Sequence, residues 1–141
     1  MMEIYELLEI SDETVTAFER LFPQLTNLPA PTREELEQMI TSESCRIFMA
    51  RVNGEIAGTA ALGCYRTPSG LHAWIEDVVV GEAYRRQGIG ESLTRTLIET
   101  ARSMGAHSLS LTSRPAREAA NRLYQQLGFM KWETNLYRYP L

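Results

Sequence analysis

The spacing of apolar residues changes several times along the chain, and each change predicts an element. Residues 2–9 read as a first strand, with Leu7-Leu8 interrupting the alternation. Ser11 stands ahead of Asp12 and Glu13, and Val15, Phe18, Leu21, Phe22 and Leu25 then recur on one helical face, which predicts a capped amphipathic helix ending near Pro23 or Leu25. Thr32 and Glu35 have capping-box spacing before Leu36, Met39 and Ile40, so a second, short helix follows the connection at residues 26–31. Two β-rich runs, Cys45–Val52 and residues 55–64, flank Asn53-Gly54, the dipeptide of a two-residue hairpin. After a turn at Thr67-Pro68-Ser69-Gly70, residues 71–80 form the next strand. The period then shifts to helical, through Ile89, Leu93, Leu97, Ala101 and Met104, and Gly105 ends that helix. Residues 108–112 form a short strand, expected to lie parallel to the 71–80 strand in a right-handed strand-helix-strand unit. A helix over residues 115–127 ends at Gly128, and residues 129–133 and 135–139 are expected to close the sheet as an antiparallel pair.

Composition narrows the class. At 141 residues the chain has room for one domain, and a chain of about 150 residues buries roughly 68–70% of its unfolded surface. Hydrophobic content of 44% and charged content of 23% suit a globular protein, and no apolar run approaches the ~20 residues of a membrane span. The first residues carry Glu3, Glu6 and Glu9 where a signal peptide is basic, so mature sequence and a cytoplasmic location are expected. A net charge of −4 argues against nucleic acid as a partner and suits a cationic substrate. A regular hairpin at Asn53-Gly54 sets Val52 opposite Glu55 and Cys45 opposite Leu62, which leaves Cys64 out of register for a bridge, so both thiols are expected to be free. His72 and His107 are isolated and the cysteines lack ligand spacing, so no metal is expected.

Candidate chemistry gathers at residues 78–97, where Val78, Val79 and Val80 give way to a basic, glycine-spaced turn that opens the long helix. The first N–H groups of a helix are unpaired and, with the helix dipole, favour an anion. Gly88 and Gly90 let an anion approach the backbone, and Arg85 and Arg86 add permanent positive charge. There is no GxxxxGK[ST], and RRQGIG lacks the first glycine of a dinucleotide fingerprint.

The remaining pattern, Arg85-x-x-Gly88-x-Gly90, resembles the coenzyme A pyrophosphate loop of the GNAT superfamily of N-acetyltransferases, and ANRLYQQLGF at residues 120–129 is similar to that superfamily's A-x-x-L-Y-x-x-x-G-F helix. The resemblance implies an α/β (α+β) fold, with a central mixed, mostly antiparallel sheet of six to seven strands flanked by about four helices. It implies acetyl-CoA as cosubstrate and an amine acceptor; a monomer or homodimer is expected. Cofactor contacts are then expected from Val78, Val79 and Val80, from Arg85, Arg86, Gln87, Gly88, Ile89, Gly90, Glu91 and Ser92, and from Asn121 and Tyr124. Tyr124 occupies the position where the family places a tyrosine near the coenzyme A sulfur, so it is the expected proton donor to the thiolate; its alternative is a core tyrosine. Arg117 stands where many members have asparagine, and Asn121, one turn nearer, is the expected substitute. Glu76 is the expected general base, because IEDVVV resembles the corresponding strand of small-molecule members and strand parity puts Glu76 with Val78 and Val80; Asp77, a water chain or a merely structural edge carboxylate are the alternatives. A non-catalytic acyl-CoA sensor and an unrelated nucleotide-binding protein are the competing functions.

Overall fold

Five strands pair in the order β1-β2-β3-β4-β5 in the computed structural model, which describes all of residues 1–141. β1 (Met2–Glu6), β2 (Cys45–Val52), β3 (Glu55–Thr67) and β4 (Gly70–Val80) are antiparallel neighbours, and β5 (Ser108–Ser110) lies parallel to β4. The chain divides into two compact units, Met1–Leu111, which holds the whole sheet, and Thr112–Leu141.

Local chemistry explains the helices of the first unit. Helix α1 (Asp12–Leu21) is capped by Ser11, whose hydroxyl accepts from the Thr14 amide, and a 3-10 turn at Phe22–Gln24 follows it with Pro23 at its start. Helix α2 (Arg33–Thr41) has both halves of the Thr32–Glu35 capping box. These two helices set Ala17, Phe18, Leu21 and Leu36 against Leu7, Ile47, Met49, Ile56 and Val79 in one buried cluster. Leu36 and Met49 are fully sequestered, and burying a side chain of that size contributes roughly 1.5–3 kcal/mol. Strand residues of the other parity, including Phe48, Ala60, Leu62, Ala73 and Ile75, are buried too. Helix α3 (Ile89–Ser103) lies against β3 and β4 and buries Ile89, Leu93, Thr94, Leu97 and Ala101. It closes with a Schellman arrangement in which Gly105 takes φ +76° and the Ala106 amide bonds to the Ala101 carbonyl.

Two bulges correct the register expected from the sequence. Asn53 (φ +50°) and Gly54 (φ +87°) make the hairpin turn, and Val52 does face Glu55. However, Ala57 is an extra residue between the Arg51–Ile56 and Ala50–Gly58 pairs, so Cys45 faces Gly63 rather than Leu62. Both cysteines are free, with Cys64 buried. In β4, Asp77 and Val78 together oppose Ala60, between the Glu76–Ala61 and Val79–Thr59 pairs. Parity therefore flips across the bulge, and Glu76 shares a sheet face with Val79 instead of with Val78 and Val80.

The strand count is five rather than six to seven. Residues 129–141 form no strand, and Met130, Trp132, Leu136, Tyr137 and Tyr139 are exposed. Strand propensity makes a strand only where a hydrogen-bond ladder is completed, and these residues take part in none. In the second unit, helix α4 (Glu118–Gln126) starts three residues later than the expected 115, after a turn closed by the Arg117 amide on the Arg114 carbonyl.

Candidate active site

Bonds to β3 position the strand-to-helix turn. One residue past the Gly58–Val80 pair, the Ala57 carbonyl accepts the Gly81 amide at 2.8 Å and so fixes the exit from β4. Glu82–Tyr84 then form one 3-10 turn, tied back to β3 by a hydrogen bond from the Tyr84 hydroxyl to the Glu55 carboxylate. Arg85 donates from Nε to the Val80 carbonyl and from Nη2 to Gln24 Oε1, both at 3.3 Å, so part of its guanidinium organises the turn. Arg86 (φ +66°) and Gly88 (φ +79°) adopt left-handed backbone and swing the chain into α3. Arg86, Gln87 and Gly88 are exposed.

At the start of α3, Gly88 has no side chain to cap the helix. The first internal bond is the Ser92 amide on the Gly88 carbonyl, so the amides of Ile89, Gly90 and Glu91 face outward without a helical acceptor. Ile89 is itself buried at the base of this rim, and Glu91 is engaged by Arg95 Nε at 3.1 Å. A Cβ placed on Gly90 would meet only Val80 Cγ2, at 3.9 Å, an ordinary contact. Packing within the protein does not require glycine there, whereas an anion seated on the three amides would. Gly58 is the opposite case, since a Cβ there would lie 2.9 Å from the Val79 carbonyl oxygen.

β5 pairs with β4 only at His72, Ala73 and Trp74, so no strand covers the outer edge of β4 beyond Trp74. Val78 and Val80 are half-buried and Val79 is buried, and the uncovered edge runs along them to the α3 terminus. Glu76 lies in a concavity of about 460 Å³ lined by Ser44, Gly63, Cys64, Tyr65, Trp74 and Glu76. Solvent reaches Glu76, yet the burial it does undergo, followed by repulsion from Asp77, raises its carboxyl above the usual range. Asp77 is exposed and holds φ +51°, a conformation that aspartate tolerates better than most residues.

In the second unit, Tyr124 is 9% exposed and packs edge-on against Phe129, with ring centroids 5.8 Å apart. That contact belongs to a second Schellman cap, in which Gly128 takes φ +107° and the Phe129 amide bonds to the Tyr124 carbonyl. Burial holds the Tyr124 phenol above its ordinary pKa, against an opposing effect of Arg117, and keeps it protonated at neutral pH. Asn121 Nδ2 donates to the carbonyls of Arg114 (3.0 Å) and Arg117 (2.9 Å), so its amide hydrogens brace the entry to α4 and only Oδ1 is left to accept. Ser113 Oγ is buried with no partner.

Sequence reasoning missed Tyr65, Trp74 and Ser113. The alternation of β3 and β4 could have put Tyr65 and Trp74 on the face of Glu76. Nothing in the sequence signals the orphaned Ser113 hydroxyl. A second concavity, of about 430 Å³, includes Arg46 and Arg95, but Glu6 and Glu91 already pair these cations.

Residues 5–129 match the sequence model of the acetyltransferase (GNAT) family. Glucosamine 6-phosphate N-acetyltransferase of Trypanosoma brucei brucei is 27% identical over 139 residues, an alignment that covers 93% of this chain and 92% of that protein. The probable N-acetyltransferase camello of Xenopus tropicalis is 28% identical over 97 residues, 69% of this chain; the match spans only 43% of that relative's length. Among solved structures, a Trypanosoma brucei acetyltransferase superposes with a TM-score of 0.80 at 28% identity over the full length of both chains.

Proposed function

The chain belongs to the acetyltransferase (GNAT) family, and on that premise we propose that it moves the acetyl group of acetyl-CoA to a primary amine by direct attack in a ternary complex. The observation that carries this reading is the continuity of one stretch of backbone. It runs from the Glu76 carboxylate, past the β4 bulge and the uncovered edge at Val78, Val79 and Val80, to the three open amides at Ile89, Gly90 and Glu91.

The pyrophosphate of coenzyme A would sit on those amides, beside Arg85, Arg86 and Gln87, with Gly88 and Gly90 leaving room and Ser92 in the first turn of the helix. The pantetheine arm and the thioester oxygen would take the free main-chain groups along β4. The difficult proton is that of the amine: a lysine-like ammonium has pKa ~10.4, against ~8.5 for a thiol. Glu76, raised by burial and by Asp77, is the better matched base and accepts that proton directly or through water. The amine nitrogen then bonds to the acetyl carbon, the carbon–sulfur bond breaks, and the departing thiolate is protonated, a role that the resemblance of residues 120–129 to the family's A-x-x-L-Y-x-x-x-G-F helix gives to Tyr124, which would recover its proton from solvent. Both Asn121 amide hydrogens are engaged within the second unit, so a cofactor contact from this side chain would have to be made by Oδ1 as an acceptor. The Trypanosoma brucei relative acts on a phosphorylated amino sugar, and that acceptor is one member of the class to be screened.

The test is thiol release from acetyl-CoA over a panel of amines, with the acetylated product identified by mass spectrometry. Acetyl-amine formed in step with thiol supports the reading. Coenzyme A binding with no transfer to any amine would leave the chain as an acyl-CoA sensor.

A further inference from the structure

Outside the strand-to-helix turn, one built surface stands out, the concavity beside Glu76. Register places its parts on one sheet face: Glu76 opposite Ala61, Trp74 opposite Gly63, and His72 opposite Tyr65. Gly63 brings no side chain to the floor beside the indole of Trp74, and a Cβ built there would contact only the Trp74 carbonyl, at 3.9 Å. Trp74 Nε1 donates to the Tyr65 hydroxyl at 3.2 Å, which fixes the two rings relative to each other and leaves the Tyr65 proton free to be donated outward. His72 stacks on Tyr65 with ring centroids 5.2 Å apart, and its Nε2 is already held by the Thr67 and Ser69 hydroxyls at 2.8 and 2.9 Å. The lining thus presents two aromatic rings and one carboxylate, with the Asp77 carboxylate next along the chain, and no lysine or arginine.

We propose that this concavity is the acceptor subsite and that it takes a cationic amine carrying no phosphate, laid against Trp74 and Tyr65 with its ammonium toward Glu76. The proposal rests on the acetyltransferase reading for its chemistry, but the subsite is defined by the first unit alone. An ammonium gains from a carboxylate and from aromatic faces together. A phosphate monoester brings about −1.5 to −2 charges at neutral pH and would meet acidic groups with no cation to receive it. Its volume of about 460 Å³ admits an acceptor the size of a single sugar or a short polyamine.

The test measures binding without turnover. The sequence holds two tryptophans, so Trp132→Phe, a change at a 69% exposed position, leaves Trp74 as the sole indole reporter. The Trp132→Phe protein is titrated with glucosamine, glucosamine 6-phosphate and spermidine at low ionic strength while Trp74 fluorescence is followed. Glucosamine or spermidine is expected to bind at least about tenfold more tightly than glucosamine 6-phosphate, and added Tyr65→Ala to weaken that binding with no change in coenzyme A affinity. Equal or tighter binding of the phosphorylated sugar overturns the proposal, and so does a Trp74 signal that responds to none of the three. Loss of the acetyltransferase reading would show instead as failure to bind coenzyme A by calorimetry, a result independent of Trp74.

Discussion

Single residues separate a glycine that the fold requires from one that it does not. Gly58 is required by the fold, because a Cβ would press on the Val79 carbonyl at 2.9 Å; Gly58→Ala should cost about 1–3 kcal/mol in urea denaturation. Gly90 sits in helical backbone with space around it, so Gly90→Ala should leave stability unchanged or raise it by up to about 1 kcal/mol, while coenzyme A affinity falls. A Gly90→Ala protein that is unstable, or that binds coenzyme A like the parent, would remove the argument for the α3 amides. Tyr124 admits a similar separation. Its ring completes the Schellman cap with Phe129, a contact that Tyr124→Phe keeps, so melting temperature and coenzyme A affinity should hold. Turnover should drop by roughly 10²-fold or more, with partial rescue by a thioester whose thiol is more acidic, if the hydroxyl protonates the thiolate. The spacing of tyrosine, glycine and phenylalanine was readable in the sequence, whereas the part that Tyr124 plays in capping α4 became visible only with the cap geometry.

At the scale of the element, the β4 bulge governs the chemistry assigned to Glu76. Strand parity read from sequence assumes an unbroken pleat, and neither bulge leaves a mark in the pattern of apolar residues; both register expectations therefore failed by one residue while the pairing itself was legible. Asp77, in the bulge, follows Glu76 directly in the chain, and two adjacent carboxylates resist joint ionisation. Because the Glu76 pKa is raised, the base form appears only above that raised value, and kcat/KM should climb with pH through it. Asp77→Asn removes the repulsion and should move this acidic limb to lower pH. Glu76→Gln should abolish the limb, lower turnover and leave acetyl-CoA affinity unchanged. The stability consequence has the opposite sign to that of a salt-bridged acid: a raised carboxyl pKa disfavours the folded, ionised state, so Glu76→Gln should not destabilise the protein at neutral pH. A limb that persists in Glu76→Gln and vanishes in Asp77→Asn would transfer the role to Asp77.

For the whole molecule, elements with local signatures were legible and those that depend on distant partners were not. Caps at Ser11 and Thr32, the Asn53-Gly54 turn and the shift to helical period at Ile89 all reside in a few consecutive residues, and each stands where expected. Residues 129–141 carry strand-forming side chains yet make no ladder, since pairing is not decided by side-chain propensity alone. The acceptor concavity escaped notice for the same reason, since Tyr65 and Trp74 are nine positions apart and meet only through sheet register. The α3 turn, by contrast, is contiguous, and the account stands or falls on its occupant. Calorimetric titration of the intact protein with coenzyme A, ATP and NAD, repeated on Gly90→Asp, tests this most directly. The account predicts one coenzyme A per chain, bound at least about tenfold more tightly than ATP or NAD, and loss of that binding in a Gly90→Asp protein that still melts cooperatively. Coenzyme A bound no better than ATP, or undiminished in Gly90→Asp, would contradict it.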